Sequence, residues 1–532
     1  MGGSAAARTD RRAIREQGIA LLLLCLAAYL MVSGCAREER DVPMRAVPDE
    51  PVRGGVLTIA IQSDGQSLDP HRVTDAASMR LIENLYGTLM RYSDVYGEVE
   101  PYLAESYEIS EDGKTYTFIL RESVRFHETG REMTARDVKY SIRRIIEHEV
   151  RAEQFEPVDK IETPDDRTVI FRLTRPAAPF LTYLAYPMNA IVDREVVEAH
   201  DGSLDRAGAG CGPFRLVEWR RDRHLILDRY EHYHVQDRPY LDRVIYRPIP
   251  DETARTTSLR TREIHISLDV PDKDRGLLER ATHVVVESVP GTFWEYVGMN
   301  AGREPFDDVR VRQAVAWAVD RDMVNQLVKF GRSRILTGGF FPTNHWAYVD
   351  MEMYPGRDPD RARALLREAG YPDGFEAVIR VGSAFPYQVA AAQIVKQNLE
   401  EVGIMTEILA EESGVFFEAL GRSDFDMTVV GWLGFVDPDE WFYNIFHSEG
   451  RWNQQQYANP DVDTLLEQGR RETDMEERRE QYRRVQEKVV RDAPVALLYI
   501  NDQTSAYLDT VQGFRVHPTA TTLSLRETWL VE

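Results

Sequence analysis

Pro101-Tyr102-Leu103-Ala104-Glu105-Ser106-Tyr107-Glu108-Ile109-Ser110-Glu111-Asp112-Gly113-Lys114-Thr115-Tyr116-Thr117-Phe118 is the stretch on which the reading of the fold turns. Residues 107–109 and 115–120 have strand composition, and Asp112-Gly113 between them suits the positive φ of a tight turn, so the segment reads as a β-hairpin. Beyond Val124-Arg125-Phe126-His127 comes Thr134-Ala135-Arg136-Asp137-Val138. Here Thr134 can cap a helix while Asp137 stands at the third helical position, the spacing of a capping box with Asp in place of Glu.

Working outward, strands are expected at 56–61, 168–173, 224–228 and 244–247, with helices over 76–86 and 309–330. From residue 359 the pattern alternates: helix 359–370, extended 376–381, helix 388–402, strands 405–409 and 425–431, one or two helices in 462–491, then strand 495–500. Such alternation argues for an α/β protein with mixed or parallel sheets covered by helices. No repeat of 20 to 50 residues is visible, which disfavours solenoids and propellers.

At the other end, Cys35 closes Val32-Ser33-Gly34-Cys35 after an apolar stretch from Ile19 and a start bearing Arg8, Arg11, Arg12 and Arg15. This resembles a bacterial lipoprotein leader, so residues 1–34 are expected to be a signal peptide and Cys35 the lipidated first residue of the mature chain. The apolar stretch would extend only about 21 Å as a helix, against a hydrocarbon core of roughly 30 Å, which weakens the alternative of a spanning anchor. Residues 35–53 are charged and proline-bearing, as a tether would be. In a chain of 532 residues, 43% hydrophobic and 10% aromatic, two or three domains are expected, because single cores stop growing near roughly 250 to 300 residues. The net charge of −23 repels nucleic acid and anionic headgroups. With Cys25 in the leader and Cys35 lipidated, only Cys211 remains, so no intramolecular disulfide is expected and Cys211 reads as a small buried residue among glycines.

Catalytic signatures are missing. There is no Gly-x-Ser-x-Gly, His-Glu-x-x-His or phosphate-binding glycine loop, and no cysteine pair for zinc. Gly208, Gly210 and Gly212 run into Pro213 instead of a helix, and His232 and His234 are expected to flank a core-facing Tyr233 and face solvent. Neither a catalytic residue, a metal site nor a cofactor is therefore assigned. The positive signal is aromatic: Phe293, Trp294 and Tyr296, Phe340-Phe341, Trp346, Trp432, Trp441-Phe442-Tyr443 and Trp452 cluster in the second half, as in a cleft that holds an organic molecule.

The quoted stretch, together with Cys211-Gly212-Pro213-Phe214, Asn300, Pro305-Phe306-Asp307-Asp308-Val309-Arg310-Val311-Arg312-Gln313-Ala314, Ala369-Gly370-Tyr371-Pro372-Asp373-Gly374 and Gly431-Trp432 with Asp437-Pro438, closely resembles the extracytoplasmic solute-binding proteins of peptide, opine and nickel ABC importers. The resemblance implies a two-lobed periplasmic-binding-protein fold of class II type with a hinge and an extra third domain. Lobe I would comprise 54–80, 200–288 and 505–532, the extra domain 81–199, and lobe II 289–504, with hinges near Val289-Pro290 and Tyr499-Ile500-Asn501. It further implies capture of a small solute by hinge closure, delivery to an ABC permease, attachment to the membrane only through the lipid at Cys35, and a monomer. The ligand residues it suggests are Thr74, Asp75, Trp294, Tyr296, Trp432, Phe435, Asp437, Tyr499 and Asn501. Peptide binders of this family typically carry an aspartate three residues after the Gly-Trp tryptophan, to pair with the ligand's amino terminus. Phe435 stands there, which puts a generic short peptide in doubt and admits a sugar, an opine, a blocked peptide or a metal chelate. A ligand-sensing receptor without transport and a secreted hydrolase are the competing classes.

Overall fold

The computed structural model describes residues 50–93, 96–433 and 436–531. The leader, Cys35 and Phe435 lie outside the described residues. Strand β1 (Val56–Ile61) is followed by helix α1 (Ala76–Ile82), which stops short of the expected residue 86. The carbonyls of Asn84 and Leu85 are taken instead by the amides of Phe214 (3.2 Å) and Gly212 (3.0 Å). A Cβ on Gly210 would lie 2.0 Å from the Leu85 carbonyl oxygen, so only glycine allows this backbone approach. Cys211 is buried beside it, and burial pushes its thiol up to about 12.

The hairpin forms as read, with β2 (Ala104–Ile109) antiparallel to β3 (Thr115–Leu120) and Gly113 at φ 65°. Helix α2 (Ala135–Glu147) begins where the Thr134 amide donates to the Asp137 carboxylate at 2.9 Å, and it buries Val138, Ile142 and Ile145 along one face. Strands β4 (Val158–Glu162) and β5 (Thr168–Leu173) complete an antiparallel sheet in the order β2-β3-β5-β4.

The principal sheet has eleven strands among the described residues. After β6 (Phe214–Arg220), β7 (His224–Arg229), β8 (Arg243–Pro248) and β9 (Ile266–Ser267) comes the long β10 (Val284–Met299). The single helix expected over 309–330 is two, α3 (Val309–Ala318) and α4 (Arg321–Val328). Val319 is extended, and the Asp320 carboxylate accepts the Met323 amide at 2.8 Å, starting a new helix inside an apolar period that hides the break. The short β11 (Arg334–Ile335) precedes β12 (Phe375–Gly382), β13 (Ile404–Glu411) and β14 (Met427–Leu433). Helix α5 (Asp439–Phe446) follows, and β15 (Val495–Leu508) is far longer than expected. The order is β13-β12-β14-β10-β15-β9-β1-β8-β7-β6, with β11 also on β15. Parallel pairs (β1 with β8, β12 with β13) stand beside antiparallel ones (β7 with β8, β10 with β15), a mixed sheet.

Two strands, β10 and β15, cross between two separate cores. One core gathers Leu57, Phe118, Phe171, Tyr246 and Leu525; the other gathers Trp294, Ile379, Val429, Phe442 and Leu498. Their pairing shifts register between Pro290 and Trp294. A Cβ on Gly291, inside that shift, would meet the Asn501 carbonyl oxygen at 2.5 Å. His232 is exposed and Tyr233 buried as expected, but His234 needs correction: it is half-buried, its ring 5.5 Å from Tyr102 and 4.5 Å from Tyr233.

Candidate ligand-binding cleft

A cavity of about 860 Å³ lies between the segment 150–188 and residues 417–470, with Thr74 at its edge. That volume is within the range of sites for small organic molecules. Arg151 positions the first wall. Its guanidinium is buried and donates to the carbonyls of Val73 (2.7 Å), Pro70 (2.8 Å) and Met188 (3.1 Å), and its Nε to Asn189 (3.1 Å). These bonds tie the loop after β1 to the 150–188 segment and thereby set Thr74 in place. The opposite wall is β14 with α5: Trp432 packs against Trp452 with ring centroids 5.1 Å apart, and Tyr443 lies under the Arg470 guanidinium at 3.7 Å.

Behind this wall lie two ion pairs. Asp437 accepts from both terminal nitrogens of Arg478 at 2.6 and 2.7 Å, and Asp439 accepts from Arg470 at 3.1 Å and from the Tyr183 hydroxyl at 3.1 Å. Glu440, a cavity-lining residue, is buried with no partner for its Oε2 among the described residues. Burial, with Asp437 and Asp439 close by, holds its carboxyl well above the ordinary carboxylate range.

Of the residues expected at the site, Thr74 and Trp432 line the cavity. Asp75 caps α1, accepting from the Ser78 amide (2.8 Å) and hydroxyl (2.7 Å). Trp294 and Tyr296 are core residues, stacked at 4.6 Å and 0% and 1% exposed, because their positions on β10 face the second core. The Asp437 carboxylate is spent on Arg478. Tyr499 and Asn501 converge on Glu295 where the strands cross, the hydroxyl at 2.8 Å and the amide at 3.4 Å. Sequence reading missed Glu440, Arg470 and the whole 150–188 wall. The only signal was three acids in Asp437-Pro438-Asp439-Glu440 amid aromatic residues; the 150–188 segment carries no motif.

Burial pushes the Glu295 carboxyl up to about 7 from 4.5, partly offset by Tyr499, Lys329 and Asn501. Between those values the folded protein holds a proton that the unfolded chain has lost, so this group's contribution to stability falls as pH rises through the window. Glu295→Gln is expected to shift the slope of stability against pH in the positive direction by up to about 1.4 kcal/mol per unit between pH 4.5 and 7. Urea titrations at several pH values measure it, and an unchanged slope would contradict the burial argument.

Two cores joined by crossing strands, with a cavity walled by aromatic rings and buried ion pairs, define a two-lobed binding protein. The chain belongs to the bacterial extracellular solute-binding proteins, family 5, whose model for the middle region matches residues 98–454. It is thus a solute-binding component of ABC importers, working outside the cytoplasm, and not an enzyme. It is 28% identical over 474 residues to the glutathione-binding protein GsiB of Pectobacterium atrosepticum, covering 86% of this chain and 91% of that protein. The Escherichia coli K12 protein of that name is 28% identical over 520 residues, 95% of this chain and 97% of its own length. Among solved structures, the periplasmic binding protein DppA of Helicobacter pylori in complex with peptide STSA superposes with a TM-score of 0.78 at 28% identity, covering 90% of this chain and 99% of that one. AgaA of A. tumefaciens R10 with agropinic acid gives 0.78 and 28% over the same shares. No helix among the described residues is long and apolar enough to cross a membrane.

Proposed function

We propose that this protein is a lipid-anchored receptor that captures a small organic solute in the 860 Å³ cavity and hands it to an ABC import permease. The cavity carries the reading, because its walls come from different parts of the chain, Thr74 and 150–188 on one side and Trp432 to Arg470 on the other. A ligand touching both walls favours the conformation in which they are close. The shift between Pro290 and Trp294, opposite Asn501, interrupts the regular pairing of the two crossing strands, which suits a hinge that turns without breaking a full ladder. The lipobox ending at Cys35 supports the anchor, and a monomer suffices since one chain builds the whole cavity. A relative named for glutathione and structures in complex with a peptide and with agropinic acid point to solutes of that size.

Native mass spectrometry of the purified leaderless protein, followed by denaturation and identification of what is released, tests the reading. A bound small molecule is the expected result, and readdition at 100 times its dissociation constant should add about 2.7 kcal/mol of stability. Small-angle scattering should show compaction on binding. A protein that is empty and stays unresponsive to a broad solute library would refute solute capture.

A further inference from the structure

Two hydrogen bonds run directly from one wall of the cavity to the other. The Tyr183 hydroxyl donates to the Asp439 carboxylate at 3.1 Å, and the Ala178 amide donates to the Arg470 carbonyl at 3.0 Å. Each is fixed from behind. On the first wall Asn189 donates to the Tyr183 carbonyl at 2.9 Å and is itself held by Arg151 Nε at 3.1 Å. On the second, Asp439 is 0% exposed in the first turn of α5, and Arg470, which follows the helix Pro460–Gly469, donates to it from Nε and a terminal nitrogen, both at 3.1 Å. One residue therefore serves both bonds, the Arg470 carbonyl meeting Ala178 and its guanidinium holding the carboxylate that meets Tyr183. Burial, with Asp439 and Glu440 close by, pushes the Tyr183 hydroxyl well above its ordinary range, so it stays protonated and acts as the donor. Phe180, on the same short helix as Tyr183, packs in the first core, while Trp441 and Phe442 of α5 pack in the second. Because hydrogen bonds tolerate little lengthening, these walls cannot part without breaking both.

We propose that Tyr183, Asp439 and Arg470, with the Ala178 amide, form a latch that closes the cleft through protein bonds alone, so that the empty protein already populates the closed arrangement beside an open one. This rests on the reading of capture by hinge closure and adds to it a device that needs no solute. A solute then collects a population that the latch has prepared, and its release waits on the latch. Tyr183 is the positioning residue of this device, since its hydroxyl is the side-chain donor that crosses the cleft.

The test uses the leaderless protein with Cys35→Ser, freed of solute by unfolding and refolding, with spin labels at Lys160→Cys and Glu418→Cys. Lys160 lies three residues beyond Pro157 on the first wall and Glu418 beside Phe417 on the second. Both labelled side chains are exposed, 63% and 65%, and Pro157 and Phe417 line the cavity. Cys211 is buried with its thiol pushed up to about 12, and does not label. Pulsed dipolar spectroscopy reads the separation. The expected result is two label separations in the empty wild type, with Tyr183→Phe lowering the ratio of the shorter to the longer by roughly tenfold or more, as the loss of a hydrogen bond to a charged acceptor requires. Phenylalanine keeps the ring and its packing, so a merely structural role would leave the ratio where it is. A wild type that shows the longer separation alone, or a ratio that Tyr183→Phe does not move, overturns the latch and leaves solute capture standing. A single short separation in both proteins means that the walls do not part; it removes hinge closure, and the latch falls with it.

Discussion

Asp437→Ala is expected to destabilise the protein by about 3 to 5 kcal/mol. The two oxygens it removes hold Arg478 at 2.6 and 2.7 Å, and without them the guanidinium keeps, among the described residues, the Gly469 carbonyl at 2.8 Å. Arg478 is 2% exposed and sits against the rings of Trp346 and Tyr482, at 5.2 and 5.4 Å, so water cannot take the place of the lost carboxylate. The cost comes from stranding a charge, not from losing an attraction. Asp437→Leu with Arg478→Met should therefore recover most of the loss. Urea unfolding midpoints of the single and double variants measure both effects. A single variant that keeps its stability but loses solute affinity would instead make Asp437 a ligand contact.

Trp294→Ala should cost a comparable amount, about 3 to 5 kcal/mol, through the cavity it leaves. The indole is 0% exposed and packs against Tyr296 at 4.6 Å, Phe340 at 5.1 Å and Trp441 at 5.3 Å. Tyr296 is fixed in β10 and Trp441 in α5, so these neighbours cannot collapse fully into the gap. Trp294→Phe is expected to lose less, since among the described residues Nε1 has no hydrogen-bond partner to forfeit. Equilibrium denaturation again decides; a loss under 1 kcal/mol for the alanine variant would mean that the aromatic cluster is loosely packed.

These two residues mark where the sequence is legible and where it is not. Periodicity and turn chemistry located β1, the hairpin at Gly113 and the Thr134 cap, because each is set by residues within a few positions of one another. The break at Asp320 and the early end of α1 escaped, since the first is a cap inside an unbroken apolar pattern and the second depends on the Gly212 amide, 127 residues beyond the Leu85 carbonyl that it reaches. At the site, Trp432 was legible from its family motif. Trp294 and Asp437 belong to equally recognisable motifs, yet which face of β10 meets the core, and which arginine meets the acid, are facts of tertiary packing. Glu440 carries no motif, and its interest arises only when its neighbours are seen to have partners and it does not.

The crossing strands also impose an order of assembly. Asn84 donates to the Thr522 hydroxyl across 438 residues, and Ala506, Leu508, Phe514 and Leu525 all enter the first core. A polypeptide synthesised only as far as residue 500 holds nearly everything the second core needs, while β9 still lacks its neighbour on β15 and the first core stands open. Contacts of such long range form late. The nascent chain is thereby kept from its final fold until its carboxy-terminal segment emerges.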